Sequence, residues 1–198
     1  MTNPERTARE RGFTLIEMLV VLAILSVAAL MSIPYLSAQI QRSKLLGVAS
    51  QVSGMMRLAR LDAIKNSRCG MVAIDLGARK VNAFSDKDSD CLPDAGEEIG
   101  EVILPKSVTF EAPGNVTGAA SVKDFTTRSG LPSFAKFQGD GSIEVTGAFR
   151  FKSEALGTGA PNYLEVNVEP AATARVAMRK YESSAWVEND GTGVWKWN

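Results

Sequence analysis

The chain has 198 residues, enough for one domain with a sizeable core and an appended segment. Its 22 Lys and Arg residues balance 22 Asp and Glu residues, and a zero net charge argues against a general affinity for polyanions such as nucleic acid. Histidine is absent, which excludes Ser-His-Asp and Cys-His catalysis, histidine-ligated zinc and histidine pH switches.

The amino-terminal segment changes abruptly from polar to apolar. Residues 1–12 carry three arginines and two glutamates, and residues 13–36 are largely apolar, with Glu17 as the only charged residue. As a helix, this apolar run would be about 36 Å long, which is enough to span a bilayer. It is longer than the apolar core of a signal peptide and continues past the small residues Ala28 and Ala29, so we expect it to remain in the mature protein.

Glu17 requires an explanation, because a carboxylate within an apolar helix is costly to insert into a membrane. One explanation is a position near the interface, where the positive end of the helix dipole stabilises the charge. The other starts from cleavage after Gly12, which would leave a free amine on Phe13, four residues before Glu17. That amine is a suitable counter-charge for the Glu17 carboxylate of a neighbouring helix.

The sequence RGFTLIEMLVVLAIL closely resembles the class III signal of type IV pilins and type II secretion pseudopilins. The resemblance implies that a prepilin peptidase cleaves between Gly12 and Phe13 and methylates the new amine of Phe13. It places Glu17 fifth in the mature chain, in an assembly role, and Pro34 where many pilins have a kinked or locally melted helix. A bend at the membrane exit is the other explanation for Pro34.

The resemblance also implies partners and a location. The partners are the prepilin peptidase, other pilins or pseudopilins in a filament, an inner-membrane assembly platform and the lipid bilayer. The chain would cross the inner membrane once, with its carboxyl-terminal head in the periplasm or otherwise outside the cytoplasm. Charge alone gives this orientation little support, since basic residues lie on both sides of the span.

Residues 39–66 lack proline and show apolar residues at intervals of three and four, which predicts an amphipathic helix continuous with the apolar run. The joined helix would have about 54 residues and a length of roughly 80 Å. Its other face is basic, and we expect that face to be solvated, with lipid or nucleic acid as alternative contacts. The residues expected to face the core are Leu45, Val48, Ala49, Val52, Met55, Met56, Ala59, Ala63 and Ile64.

Short strand-like runs separated by turn residues follow the helix, and together they predict an α+β protein of the type IV pilin fold, with the long helix packed on an antiparallel sheet. The predicted divisions are a leader (1–12), a transmembrane or filament-core helix (13–36), its amphipathic continuation (37–68) and a β-rich head (69–198). A hairpin is predicted between residues 163–168 and 173–178. The predicted strands are residues 71–75, 80–84, 107–111, 142–146, 163–168 and 175–178.

Residues 81–99 resemble the H-type minor pseudopilins and the FimT and FimU minor pilins, which often carry an aspartate-rich turn ending in D-x-G-E-E. Residues 86–101 contain seven carboxylate side chains and only one lysine. Five carboxylates match EF-hand loop positions 1, 3, 5, 9 and 12, although Cys91 replaces the turn glycine and Pro93 an apolar residue. Calcium is therefore a candidate cofactor, and a solvated turn or contact with the basic helix face of another subunit are alternatives. The candidate ligands are Asp86, Asp88, Asp90, Asp94 and Glu97.

Cys69 and Cys91 flank the first two predicted strands. If the head lies outside the cytoplasm, a disulfide between them would stabilise the fold by about 3 kcal/mol through the unfolded state. Two free thiols are the alternative. Without histidine in the chain, nothing indicates that either thiol is activated for catalysis.

The carboxyl-terminal region suggests one further ligand. Trp195, Lys196 and Trp197 interleave aromatic and basic residues, and Arg175, Arg179 and Lys180 precede them on the hairpin. Some FimT-like relatives bind DNA, so DNA is an alternative partner. Tryptophans that pack on the sheet are the simpler explanation, because the balanced charge provides no strong basic field.

These patterns predict a structural subunit and not an enzyme, since no nucleophile and base occur together and the acidic residues share one turn. The prediction is an H-type (GspH-like) minor pseudopilin of a type II protein secretion system, assembled into the pseudopilus after leader cleavage and methylation. The alternative is a minor type IV pilin, FimT-like or FimU-like, in pilus assembly or DNA uptake.

Overall fold

The structure, a computed structural model, describes residues 13–114, 121–128, 131, 133–156, 162–182 and 184–188. Two compact units divide the chain, an amino-terminal unit (Met1–Gln39) and a head unit (Ile40–Asn198). The elements among the described residues are α1 (Leu15–Asn66), β1 (Gly70–Asp75), β2 (Lys80–Ser85), β3 (Glu98–Ile103), β4 (Val108–Phe110), β5 (Val122–Lys123), β6 (Phe134–Phe137), β7 (Gly147–Ser153), a short 3-10 turn (Glu154–Leu156), β8 (Tyr163–Val168), β9 (Val176–Glu182) and β10 (Ala185–Glu188).

The amino-terminal unit contains the first part of α1. Thr14 caps the helix: its Oγ1 accepts a hydrogen bond from the backbone N–H of Glu17, 3.2 Å away. This part of the helix is strongly apolar, and its described side chains are exposed. By length and composition, this helix can cross a membrane. Pro34 lies within α1, and a kink at this residue stays a prediction.

The head unit contains two antiparallel sheets. A four-stranded sheet has the order β3-β2-β1-β6, and a second sheet has the order β10-β9-β8-β7-β4, with β5 also paired to β7. The predicted hairpin is β8–β9, in register from Leu164 opposite Lys180 to Val168 opposite Val176. The α+β prediction, a long helix followed by antiparallel sheet, is confirmed.

The core of the head lies between the second part of α1 and the inner faces of both sheets. Eight of the nine helix residues expected to face the core are buried, at intervals of three and four. Ile64 is the exception, because the adjacent Ala63 occupies the core-facing position and Ile64, one residue further round the helix, is 43% exposed. The sheet residues in this cluster include Val72, Ile74, Val81, Ala83, Val102, Ala135, Phe137, Phe149, Phe151, Leu164, Val166 and Val168.

A smaller apolar cluster occupies the opposite face of the four-stranded sheet. In β1, Met71 and Ala73 belong to this cluster and Val72 and Ile74 to the main core. They alternate because successive side chains of a strand point to opposite faces. Leu92 lies in the acidic loop, residues 86–97 between β2 and β3. Leu92 and Leu131 pack against this cluster and cover it in part. The buried members are Met71, Ala73, Phe84 and Phe134.

The prediction of a strand at residues 142–146 is wrong. Gly141 has a φ of +83°, and the turn it forms directs the following backbone to two different partners. The N–H of Ile143 donates to the carbonyl of Ala171, while the N–H of Glu144 donates to the carbonyl of Lys136. Ile143 is nevertheless buried, so the apolar pattern correctly indicated burial although the segment forms no strand. Strands β3, β5, β6, β7 and β10 are additional to those predicted.

Candidate functional site

The amino-terminal candidate site centres on Glu17. In α1 this residue occupies the third helical position, three residues after the cap Thr14, which is the T-x-x-E spacing of a capping box. Phe13 is 80% exposed just before the cap, and Gly12 lies outside the described residues. The carboxylate of Glu17 is therefore at the positive end of the helix dipole, as the simpler explanation from the sequence requires.

A disulfide joins the end of α1 to the acidic loop. The Cys69 and Cys91 sulfurs are bonded, with their Cα atoms 5.4 Å apart. Two hydrogen bonds reinforce this connection: the N–H of Asp86 donates to the carbonyl of Cys69 at 3.1 Å, and Arg68 donates to the carbonyl of Asp86 at 2.9 Å. These contacts attach the start of the loop to the segment that follows α1. Formation of the disulfide in the cell stays a prediction.

The structure brings the five candidate calcium ligands into two overlapping groups. Asp86, Asp88 and Glu97 each place an oxygen within 4.8 Å of the others, and Asp88, Asp90 and Asp94 do the same. Asp88 belongs to both groups. The sulfurs of Cys69 and Cys91 also lie near Asp86, but a disulfide offers no thiolate to a metal.

Burial differs sharply among these carboxylates. Asp86 and Glu97 are 2% and 6% exposed, whereas Asp88, Asp90 and Asp94 are at the surface. The Asp86 Oδ1 accepts a hydrogen bond from the N–H of Ser89 at 2.8 Å, and Glu97 Oε1 accepts one from the N–H of Lys87. The two inner carboxylates thus help to fold the loop around the group.

The basic residues of the second sheet are paired with carboxylates. Arg175 forms a double hydrogen bond with Glu188 and lowers the pKa of that carboxyl below its usual range. Arg179 binds Glu169 at 3.0 Å and likewise lowers the pKa of Glu169. A phosphate of DNA would have to compete with these carboxylates for the cations.

Two further basic residues bear on the DNA alternative. Lys180 pairs with Glu182 at 2.7 Å. The predicted aromatic and basic tail, Trp195, Lys196 and Trp197, lies outside the described residues.

One buried ion pair was not found from the sequence. Arg150 Nε lies 3.0 Å from Glu165 Oε2, both side chains are nearly inaccessible, and Arg179 Nη1 lies 3.7 Å from Glu165 Oε1. The Arg150 guanidinium also lies 5.4 Å from the centre of the Trp186 ring. The available signal was the alternation in β7, where Phe149 and Phe151 flank Arg150. This pair organises the second sheet and gives no sign of a ligand site.

Comparison with known proteins supports the amino-terminal assignment. Residues 7–33 match the family model of the prokaryotic N-terminal methylation motif, and no curated protein matches the chain. The chain is similar to the type IV minor pilin FimU of Pseudomonas aeruginosa, at 12% identity and a TM-score of 0.46, over 73% of this chain and 93% of that one. It is also similar to the minor pseudopilin EpsH from the Type 2 Secretion System of Vibrio cholerae, at 10% identity and a TM-score of 0.45, over 67% and 95%.

The prediction of a type IV pilin-like signal is confirmed by the motif match, which includes Gly12, Phe13, Glu17 and the apolar residues that follow. The motif implies processing by a prepilin peptidase and assembly into a pilin-like filament. It is also consistent with a membrane-anchored chain whose head lies outside the cytoplasm. The roles of individual residues within the motif stay predictions.

Proposed function

We propose that this chain is a minor subunit of a pilin-type filament, and specifically an H-type minor pseudopilin of a type II protein secretion system. It would be held in the inner membrane by residues 13–36 before assembly and would then enter the periplasmic pseudopilus. The chain would act through assembly and not as an enzyme. The observation that carries the proposal is the methylation motif at residues 7–33, which includes an apolar helix segment that is exposed among the described residues.

Exposure of the apolar helix segment gives the proposal a physical basis. An apolar surface of this length cannot remain in water, because each buried methylene group contributes about 0.8 kcal/mol. The bilayer covers this surface before assembly, and neighbouring helices would cover it in a filament. Transfer from lipid to a helix bundle has little hydrophobic driving force, so polar interactions must help to direct it.

Glu17 would supply that direction. After cleavage, the methylated amine of Phe13 and the carboxylate of Glu17 are opposite charges on the same segment of every subunit. Pairing between the amine of one subunit and the carboxylate of its neighbour would compensate a charge that is costly in an apolar surrounding. Such a pair also fixes the axial position of one helix against the next.

The intact mass of the protein tests processing directly. The protein should be isolated from membranes of cells that contain the native prepilin peptidase. We expect a chain that begins at Phe13 and carries one additional methyl group, with two hydrogens fewer when Cys69 and Cys91 are bridged. The same protein from cells without the peptidase is the control and should retain residues 1–12. A full-length mass in both strains would contradict the proposal.

The alternative assignment is a minor type IV pilin in pilus assembly or DNA uptake. Both machines use the same amino-terminal signal, so the phenotype of a deletion strain must separate them. Loss of secreted proteins from the medium, with normal pili, would support the secretion system. Loss of surface pili or of transformation, with normal secretion, would support the alternative and contradict the secretion assignment.

A further inference from the structure

The acidic loop between β2 and β3 contains an unusual concentration of buried negative charge. Asp86 and Glu97 lie at its two ends, where they are 2% and 6% exposed, and their oxygens lie within 4.8 Å of each other and of Asp88. Negative charges this close repel one another, and burial removes the water that would screen them. A buried group of this kind needs a positive counterpart.

The described protein residues do not provide that counterpart. No salt bridge among them includes Asp86, Asp88 or Glu97. Lys87 lies between the carboxylates in sequence, but its Nζ donates to the carbonyl of Gly96. Arg68 donates a hydrogen bond to the backbone carbonyl of Asp86, and not to its carboxylate.

Glu97 provides the independent sign of a ligand. Its Oε2 is buried and has no hydrogen-bond partner, although its Oε1 accepts from the N–H of Lys87. An unpartnered buried carboxylate oxygen costs several kcal/mol, and natural structures rarely leave one without a partner. This carboxylate belongs to the group formed with Asp86 and Asp88, so its unpartnered oxygen is available to an ion held by that group.

The chemistry of the group selects among cations. All the donors are oxygens, which excludes the soft sites preferred by zinc or copper. The neighbouring Asp88, Asp90 and Asp94 group adds further carboxylates at the surface, so one short segment provides many oxygen ligands. Ca²⁺ takes six to eight oxygens in flexible geometry, whereas Mg²⁺ demands a smaller octahedron and retains its waters.

The loop backbone is compatible with such a site. Cys91 occupies the position of the turn glycine in an EF-hand loop, and it has a φ of +58°. The disulfide to Cys69 holds this residue in place, and Leu92 packs in the smaller apolar cluster on the adjacent side. The departure from the glycine pattern therefore does not prevent the loop from turning as the site needs.

We propose that Asp86, Asp88 and Glu97 bind one calcium ion, with Asp90 and Asp94 completing its surroundings on the surface side. The ion neutralises the buried carboxylates and fixes the β2–β3 connection to the end of α1. An affinity in the range of extracellular calcium modules, about 10⁻⁴–10⁻³ M, suits a head outside the cytoplasm. Calcium binding does not depend on the proposed filament function, and the two are tested by separate readouts.

The test is calcium titration of the full-length protein in detergent after treatment with EDTA, read by calorimetry and by the thermal unfolding midpoint. Calcium at about 100 times its Kd should raise the midpoint by about 5–10 °C. Magnesium at the same concentration should have a much smaller effect. The absence of a calcium-dependent shift, or an equal shift with magnesium, would overturn the proposal.

Three variants make the test specific. Glu97→Gln and Asp88→Asn should each weaken calcium binding by at least about tenfold, and Asp88 is exposed, so its variant should fold even if Glu97→Gln does not. Glu98→Gln is the matched control, because Glu98 is the adjacent carboxylate but belongs to neither group. An equal loss of binding in the Glu98 variant would indicate general charge attraction and would also overturn the proposal.

Discussion

Glu17 has a local role at the start of α1, and in the proposed filament it would have an intermolecular role as well. Its backbone N–H is capped by Thr14, and a carboxylate at this helical position is favoured by the dipole in any isolated helix. The same carboxylate would pair with the amine of a neighbouring subunit in the filament. The two roles depend on different groups, because the cap uses the backbone N–H of Glu17, which any side chain retains, and pairing needs the carboxylate charge.

Glu17→Gln separates these roles. Glutamine is also favoured at the third position of a capping box, so insertion and leader cleavage should be retained. Loss of one partner of a buried charge pair costs about 3–5 kcal/mol, and incorporation into filaments should fall by more than about tenfold. Incorporation is measured as the fraction of subunit in sheared filaments. Thr14→Ala is the control, since it weakens the cap and keeps the charge, and it should incorporate nearly as well as the wild type.

Gly12 tests the assignment of the cleavage site. A side chain at this position should obstruct the peptidase, so Gly12→Leu should retain the leader and remain in the membrane. The measurement is the intact mass of the membrane-bound protein. Thr7→Leu introduces the same side chain within the leader and away from the predicted cut, and it should be processed normally. Processing of Gly12→Leu at the wild-type level would show that the cut does not depend on this glycine.

At the scale of elements, the contact between α1 and β1 depends on one glycine. A Cβ atom on Gly70 would lie 2.1 Å from the carbonyl oxygen of Ala59 and 3.2 Å from the Cβ of Ala63. Backbone atoms of a packed helix cannot move aside as the tip of a side chain can. The strand can approach the helix this closely only because residue 70 has no side chain.

Gly70→Ala should therefore destabilise the head by about 1–3 kcal/mol, as overpacking does in other cores. Gly54→Ala is the matched control, because Gly54 lies within α1 with nothing within 4 Å of the added Cβ. Alanine there should stabilise the helix by about 0.5–1 kcal/mol. Chemical denaturation of the full-length protein in detergent measures both changes. A Gly70→Ala variant that is as stable as the wild type, or more stable, would show that the helix–strand contact is not as close as described.

The elements that could be predicted from the sequence are those whose apolar pattern reflects a single packing partner. The second part of α1 was predicted because its apolar face meets one core, and hairpin β8–β9 because its strands are adjacent in the chain. Strand β3 was not predicted, since Glu98 and Glu101 make it look like part of the acidic loop. Strand β7 was not predicted because its central Arg150 is buried against Glu165, a partner on the next strand that the local sequence does not reveal.

The candidate calcium site was likewise predictable in part: local spacing identified the ligands, but their burial depends on distant residues. Loop spacing identified all five carboxylates, and the structure places them in two overlapping groups. The sequence did not indicate that Asp86 and Glu97 are buried while Asp90 and Asp94 are exposed, because burial depends on how the loop is attached to the rest of the head. The disulfide and the packing of Leu92 determine that attachment, and both involve partners distant in the chain.

At the scale of the whole molecule, the two units have opposite requirements. The described side chains from Phe13 to Ile33 are exposed, and they include most of the large exposed apolar side chains that the structure describes. The head unit, in contrast, buries a continuous core to which α1 contributes from Leu45 to Ala63. One helix thus contains a segment that needs lipid or other subunits and a segment that the head cannot fold without.

Two truncations test this division within α1. A chain that begins at Ile40 retains the eight buried apolar residues of the helix, so it should be soluble without detergent and unfold cooperatively. A chain that begins at Ser53 lacks Leu45, Val48, Ala49 and Val52 and should not fold. Each large buried residue that is truncated costs about 2–5 kcal/mol, and domains of this size have only about 5–15 kcal/mol of stability.

Circular dichroism during thermal unfolding, together with gel filtration, distinguishes the two chains. The chain from Ile40 should elute as a compact species with a sharp transition, and the chain from Ser53 should aggregate or lack a transition. A folded chain from Ser53 would show that the sheets form a sufficient core alone. An aggregated chain from Ile40 would show that residues before Ile40 belong to the head, and an apolar segment that the head needs would not be available to a membrane or a filament.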